Sequence, residues 1–235
     1  MALPKLETPT YELELPSTGE KIKYRPFLVK EQKVLMMAQE SKDDTQIMDS
    51  ISQLVNTCTF GKVDAQNTPM FDIEYIFLKL RSKSVGETAS VKVLCQDDGK
   101  TYATVKVPLE DISVQMTVEH TNEIQINDLT KLVLKYPLLK DMRGIPDGTD
   151  DYGKMFLLIN KCVHEIHFGD KIYNAVDTTE KELEEFIESM DMEQLKLVTK
   201  FFETMPKLRH LVKFKNPKTK VENEVVLEGL QSFLG

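Results

Sequence analysis

The sequence predicts an α+β protein: a helical body carrying antiparallel β-hairpins near its start, its middle and its end. Three observations carry that reading. Apolar residues alternate with polar ones in short paired runs around residues 11–25, 89–107 and 210–227. Between and after these runs the apolar period changes to three and four residues. Gly, Pro, Asn and Asp stand at the corners where the alternating runs reverse. A period of two marks a half-buried strand, a period of 3.6 marks an amphipathic helix, and these corner residues supply turn geometry.

The first hairpin places Tyr11, Leu13 and Leu15 against Ile22 and Tyr24, with the turn at Pro16-Ser17-Thr18-Gly19. Glu12 and Glu14 face Lys21, Lys23 and Arg25, an arrangement that favours a solvated antiparallel face. From Val29 to Thr57 the spacing of Val34, Leu35, Ala38, Ile47, Ile51, Leu54 and Val55 is helical, interrupted by "SKDDTQ". A further helix is expected after Pro69 through "MFDIEYIFLKLRSKS", ending near Gly86. A central hairpin follows, with Val91 and Val93 opposite Val105 and Val107 and an Asp98-Gly99 turn of the two-residue type. "SVQMTV" (113–118) and "EIQI" (123–126) extend it into a small sheet.

The second half reads as mostly helical. "DLTKLVLKYP" gives a short element ending at Pro137, and "KMFLLINKCVHEI" gives a longer helix after a Gly/Pro/Asp-rich loop. "IHFGDKIYNAV" predicts a small hairpin about Gly169-Asp170. Thr179 and Glu182 form a capping box, opening a helix that buries Leu183, Phe186, Ile187 and Met190. A second helix from Asp191 buries Leu195, Val198, Phe202 and Met205, and a closing hairpin turns on Asn216-Pro217. This organisation divides the chain into 1–86 (hairpin plus helices), 87–126 (small β subdomain) and 127–235 (helical region with closing hairpin).

Composition excludes several classes. A net charge of −8 over 235 residues supplies no global basic field, which argues against a nucleic-acid binder. No apolar run is long enough to span a membrane, and the N-terminal residues do not read as a secretory signal. Three scattered cysteines, Cys58, Cys95 and Cys162, make a poor disulfide framework and suit a reducing compartment.

Each motif that could carry chemistry falls short. Cys95-Gln96-Asp97-Asp98-Gly99 has the outline of a zinc corner, but Asp98 holds the second ligand position and the chain offers no second corner. It reads as a turn. Cys162, His164 and His167 cluster in "CVHEIH" without the i, i+4 histidine spacing of a zincin helix. Gly148 to Lys154 approaches a phosphate-binding loop, then places Met155 where Ser or Thr must hold magnesium. Asp147, Thr149 and Asp151 suggest a calcium loop, but Tyr152 replaces the required Gly and Leu158 the bidentate Glu. No cofactor, metal or catalytic constellation is therefore expected.

Together, "LPKLETPTYELELPSTGEKIKYRPFLVKEQKVL", "FDIEYIFLKLRSKSVGE" and "CQDDGKTYATVKVPLEDI" resemble a known family. The chain is similar to the baseplate hub subunits and hub-assembly proteins of T-even-type contractile-tailed phages, most specifically from Asp72 through Arg81 to Glu87. The resemblance implies a non-enzymatic role in tail assembly through contacts with other hub or tail proteins, the tape-measure chain being one candidate. It also implies that the Cys95–Gly99 corner matches a Cys-x-x-Cys-Gly corner of some members, here without its second cysteine. Host cytoplasm during assembly and the virion tail baseplate are the expected locations. Two alternatives stay open: a transient assembly chaperone absent from the virion, and a metal-dependent enzyme using Cys162, His164 and His167. Asp97, Asp98 and Gly99 at the central corner, and Lys213 and Lys215 near the closing turn, are the expected partner contacts. Oligomeric state is left open.

Overall fold

Tyr11–Glu14 (β1) and Lys21–Tyr24 (β2) pair antiparallel, with Glu12 opposite Lys23 and Glu14 opposite Lys21. The computed structural model describes residues 6–41, 43–143 and 150–234. Helices α1 (Val29–Ser41) and α2 (Asp44–Cys58) follow. The break between them is held by Asp43, whose side chain accepts from the backbone N–H groups of Thr45 and Gln46 at 2.9 and 3.2 Å, a normal N-cap.

Helix α3 (Met70–Ser84) is the structural centre of its half of the protein. Ile73, Ile76, Phe77 and Leu80 pack into one core with the first hairpin, α1 and α2. Leu78 packs into a second core, formed by the hairpins that follow. A helix buried on opposite sides cannot show a clean amphipathic stripe, which is why its apolar residues occur nearly all round. Its polar residues act as anchors. Asp72, fully buried, accepts from Ser17 N–H at 3.1 Å and from the Ser17 hydroxyl. Glu74 accepts from Leu230 N–H at 3.1 Å, Arg81 donates to the Phe233 carbonyl, and Ser84 accepts from Phe27 N–H at 2.9 Å.

β3 (Thr88–Leu94) and β4 (Tyr102–Pro108) form the central hairpin, and β5 (Ser113–Gln115) follows it. The expected extension into one local sheet is corrected by the pairing. β5 pairs with β10 (Lys207–Lys215), which pairs in turn with β11 (Glu222–Glu228) to close the chain before α8 (Gln231–Leu234).

The intervening residues build a separate sheet. β6 (Glu123–Gln125), β7 (Thr130–Leu134), β8 (Val163–Phe168) and β9 (Lys171–Asn174) lie in that order, all antiparallel. Helices α4 (Leu139–Arg143) and α5 (Asp151–Cys162) stand between β7 and β8; α6 (Glu180–Glu188) and α7 (Met192–Thr204) follow β9. The "DLTKLVLKYP" segment is thus a strand and not a helix. Leu132, Val133 and Leu134 are all buried, so β7 shows no alternation to distinguish it from a short buried helix. The Thr179–Glu182 capping box and the hairpin about Gly169, with φ of +56°, form where the sequence places them.

The phosphate-loop and calcium-loop readings fall largely on Asp147, Gly148 and Thr149, outside the described residues. Asp150, just beyond, caps α5 by accepting from Gly153 N–H at 2.7 Å.

The chain forms two compact units: one from residues up to Gln115 together with Lys207 onward, the other from Met116 to Pro206. They replace the three consecutive segments 1–86, 87–126 and 127–235, because β10 and β11 return to pair with β5 and to share a core with the central hairpin. The fold is α+β, in antiparallel sheets.

Candidate functional site

The corner between β3 and β4 is larger than a two-residue turn. The last ladder pair is Leu94 with Tyr102, so residues 95–101 form the loop. Cys95 N–H donates to the Thr101 carbonyl at 2.8 Å and Gly99 N–H to the Cys95 carbonyl at 3.0 Å, with Gly99 at a φ of +61°. Asp98 accepts from the N–H groups of Lys100 and Thr101 at 3.0 and 2.9 Å and from the Thr101 hydroxyl at 2.6 Å. Those donors hold its carboxyl far below the usual carboxylate range. A turn closed by a side chain in this way needs only Gly99 at positive φ, so the expected two-residue geometry is not adopted.

Asp97 faces the other way, toward the turn between β10 and β11. Its carboxylate accepts from the Asn216 amide at 2.9 Å, the Asn223 amide at 2.9 Å and the Thr219 hydroxyl at 2.5 Å. The Thr219 and Asn216 bonds lower its pKa most, with Asn223 adding and neighbouring Asp98 opposing. In return, the Asn223 side-chain carbonyl accepts from Gln96 N–H at 2.7 Å and Asp97 N–H at 3.1 Å. Asn216 also organises its own turn, accepting from Lys218 N–H at 2.8 Å. Both asparagines are buried polar residues whose hydrogen-bonding groups are matched, as burial requires. The two hairpin tips are thereby fastened into one polar clasp.

Of the expected contact residues, Asp97, Asp98 and Gly99 lie at this clasp, and Lys213 and Lys215 lie on β10 leading into it. Lys213 and Lys215 stand across from Glu224 and Glu222, at 3.2 and 3.7 Å, and are largely exposed. The strand therefore presents paired charges of both signs instead of a basic patch. Exposed pairs of this kind add little to stability. Around the clasp, Gln96, Gly99, Lys100 and residues 217–220 remain open to solvent.

The cysteine and histidine candidates do not converge. Cys95 is buried in the core beneath the corner, and burial, aided by the Asp97 and Asp98 carboxylates, raises its thiol pKa. Cys162 belongs to the other unit, where burial pushes its thiol up to about 12. His164 is the extra residue of a bulge between Val163 and Glu165, exposed to solvent, while His167 shares a 2.7 Å hydrogen bond with Glu165. Among the described residues, no three His, Cys, Asp or Glu side chains are grouped to hold a metal ion.

Asn216 is visible in the sequence as a turn residue, but the role of Asn223 is not. One signal does exist. Asn223 occupies the same inward parity as Leu227 in β11, and a polar residue at a core-facing position needs a buried partner.

The sequence matches the family described as T4 bacteriophage base plate protein over residues 8–235. The chain belongs to that family. The match spans both compact units, so neither is an appendage to a recognisable core. No curated protein and no solved structure matches the chain. Membership makes it a phage baseplate protein with a structural role, working against other baseplate or tail proteins. Among the described residues no helix is long and apolar enough to cross a membrane.

Proposed function

We propose that this baseplate protein is a subunit of the hub, the central part of the baseplate, and acts there through protein–protein contacts without catalysis. The family match over residues 8–235 supports the baseplate part of this reading, and the resemblance of residues 72–87 to hub proteins suggests the hub. The clasp supports it: Asp97 and Asp98 are occupied by internal donors, which suits a fixed surface better than a proton-transferring one. Strand β11 ends its sheet, and an edge strand offers backbone groups that a partner strand can complete. The clasp tip, with Gly99 and the flanking Lys213 and Lys215, is the proposed contact surface, and hub and tail proteins, the tape-measure chain among them, are the proposed partners.

Quantitative mass spectrometry of purified tails beside the infected-cell lysate tests the reading. A fixed copy number per tail is expected. Absence from tails with abundance in the lysate would make the protein an assembly chaperone acting in the host cytoplasm. Alanine at both Lys213 and Lys215 should impair hub assembly, and intact assembly would remove these two side chains from the contact surface.

A further inference from the structure

The sheet of the second unit is incompletely covered. Across its core face, Leu132 pairs with Ile166 and Ile166 with Tyr173. Leu132 is fully buried and Ile166 is 8% exposed, but Tyr173 is 47% exposed. The apolar face therefore runs on beyond the helices at β9. A groove of about 660 Å³ opens there, with Phe168 and Tyr173 on the sheet side and Phe186 and Met190 on the helix side.

Two further features say what would fill it. Asp177 and Glu182 line the groove, and no Lys, Arg or His does. Among the described residues Asp177 has no hydrogen-bond or ion-pair partner. Thr179 donates from both its N–H and its hydroxyl to Glu182 Oε2, at 2.9 and 2.7 Å, which leaves Oε1 open to a cation. Strand β9 also ends the sheet, and antiparallel pairing leaves half of its backbone N–H and C=O groups pointing away from β8. Ile172, on the opposite face of β9, is 59% exposed, so an added strand would cover apolar surface on both faces.

We propose that β9 and the adjoining groove receive an extended strand of a partner protein, bearing a large apolar side chain next to a lysine or arginine. The strand completes the backbone pairing of β9, its apolar side chain enters the groove beside Tyr173, and its cation meets Asp177 and Glu182. This inference rests on the second unit alone and is independent of whether the chain stays in the finished tail.

The test is an NMR titration of the full isotope-labelled chain with a short synthetic peptide of alternating threonine and valine, carrying a central phenylalanine beside lysines. Amide shifts should concentrate at residues 171–174 and at Asp177. Replacing the lysines by glutamates should weaken binding about tenfold or more. Tyr173→Ala should weaken the lysine peptide. Asp177→Lys should reverse the preference toward the glutamate peptide, a swap that mere loss of structure cannot produce. No shift at 171–174 with peptide at millimolar concentration, or equal binding of both peptides, overturns the proposal. So does a shift of the same amides on raising protein concentration without peptide, which would give the groove to a second copy.

Discussion

Asp97 sets its two carboxylate oxygens 2.9 and 3.2 Å from the amide nitrogen of Asn216, a residue 119 positions further along the chain. This contact joins the corner of one hairpin to the turn of another. Hydrogen bonds from Asn216, Thr219 and Asn223 to Asp97 fasten the two tips together.

The clasp should depend on its asparagines. Asn223→Ala removes the acceptor for Gln96 N–H and Asp97 N–H in a buried site, and such a loss costs about 1–3 kcal/mol. Urea unfolding should show the midpoint fall by a corresponding amount. Asp97→Ala should also destabilise, and the Asp97→Ala/Asn223→Ala pair should lose less than the sum of the singles, because they share bonds.

Asp72 gives a pH signature. Burial raises its pKa, and the Ser17 bonds offset that only in part. A carboxyl whose folded-state value is raised favours folding below its unfolded pKa, and the contribution disappears as pH rises through the folded value. The stability difference between wild type and Asp72→Asn should therefore shift in favour of Asn as pH climbs from the acid side through the raised value to neutrality. Denaturation series across that range check this, and a flat difference would contradict it.

Strand β7 can be tested at Leu132, which is fully buried in the core of the second unit. Leu132→Ala should cost about 2–5 kcal/mol of that unit's stability. Hydrogen exchange should show the loss at the amides of β7 and β8, whereas the ladder of β3 and β4 keeps its protection.

The thiols should be silent in the native state. Cys58, Cys95 and Cys162 are all free and fully buried, and burial pushes Cys58 up to about 11 and Cys162 up to about 12. Only a thiolate reacts readily, so a disulfide reagent at mildly alkaline pH should find no fast thiol in folded protein and all three after denaturation. A fast-reacting thiol in the folded protein would contradict that burial.

Much of the local structure was legible before any tertiary information. The first hairpin, the break between α1 and α2, helix α3, the capping box and the Gly169 turn all follow from periodicity and cap or turn chemistry within a few residues. A reversal at the Asp98-Gly99 corner is likewise legible, but its length is not: the loop runs from Cys95 to Thr101.

Tertiary structure decided what neighbouring residues cannot express. β7 is buried at Leu132, Val133 and Leu134 together, so its period is hidden, and only its pairing with β6 and β8 makes it a strand. β5 finds its partner in β10, across residues that fold as a unit of their own. Asp97 looks like one more surface acid until Asn216, Thr219 and Asn223 arrive from the far end of the chain. Periodicity and turn chemistry are local and are written in the order of residues. Pairing between distant segments depends on which buried polar groups and apolar faces match in space.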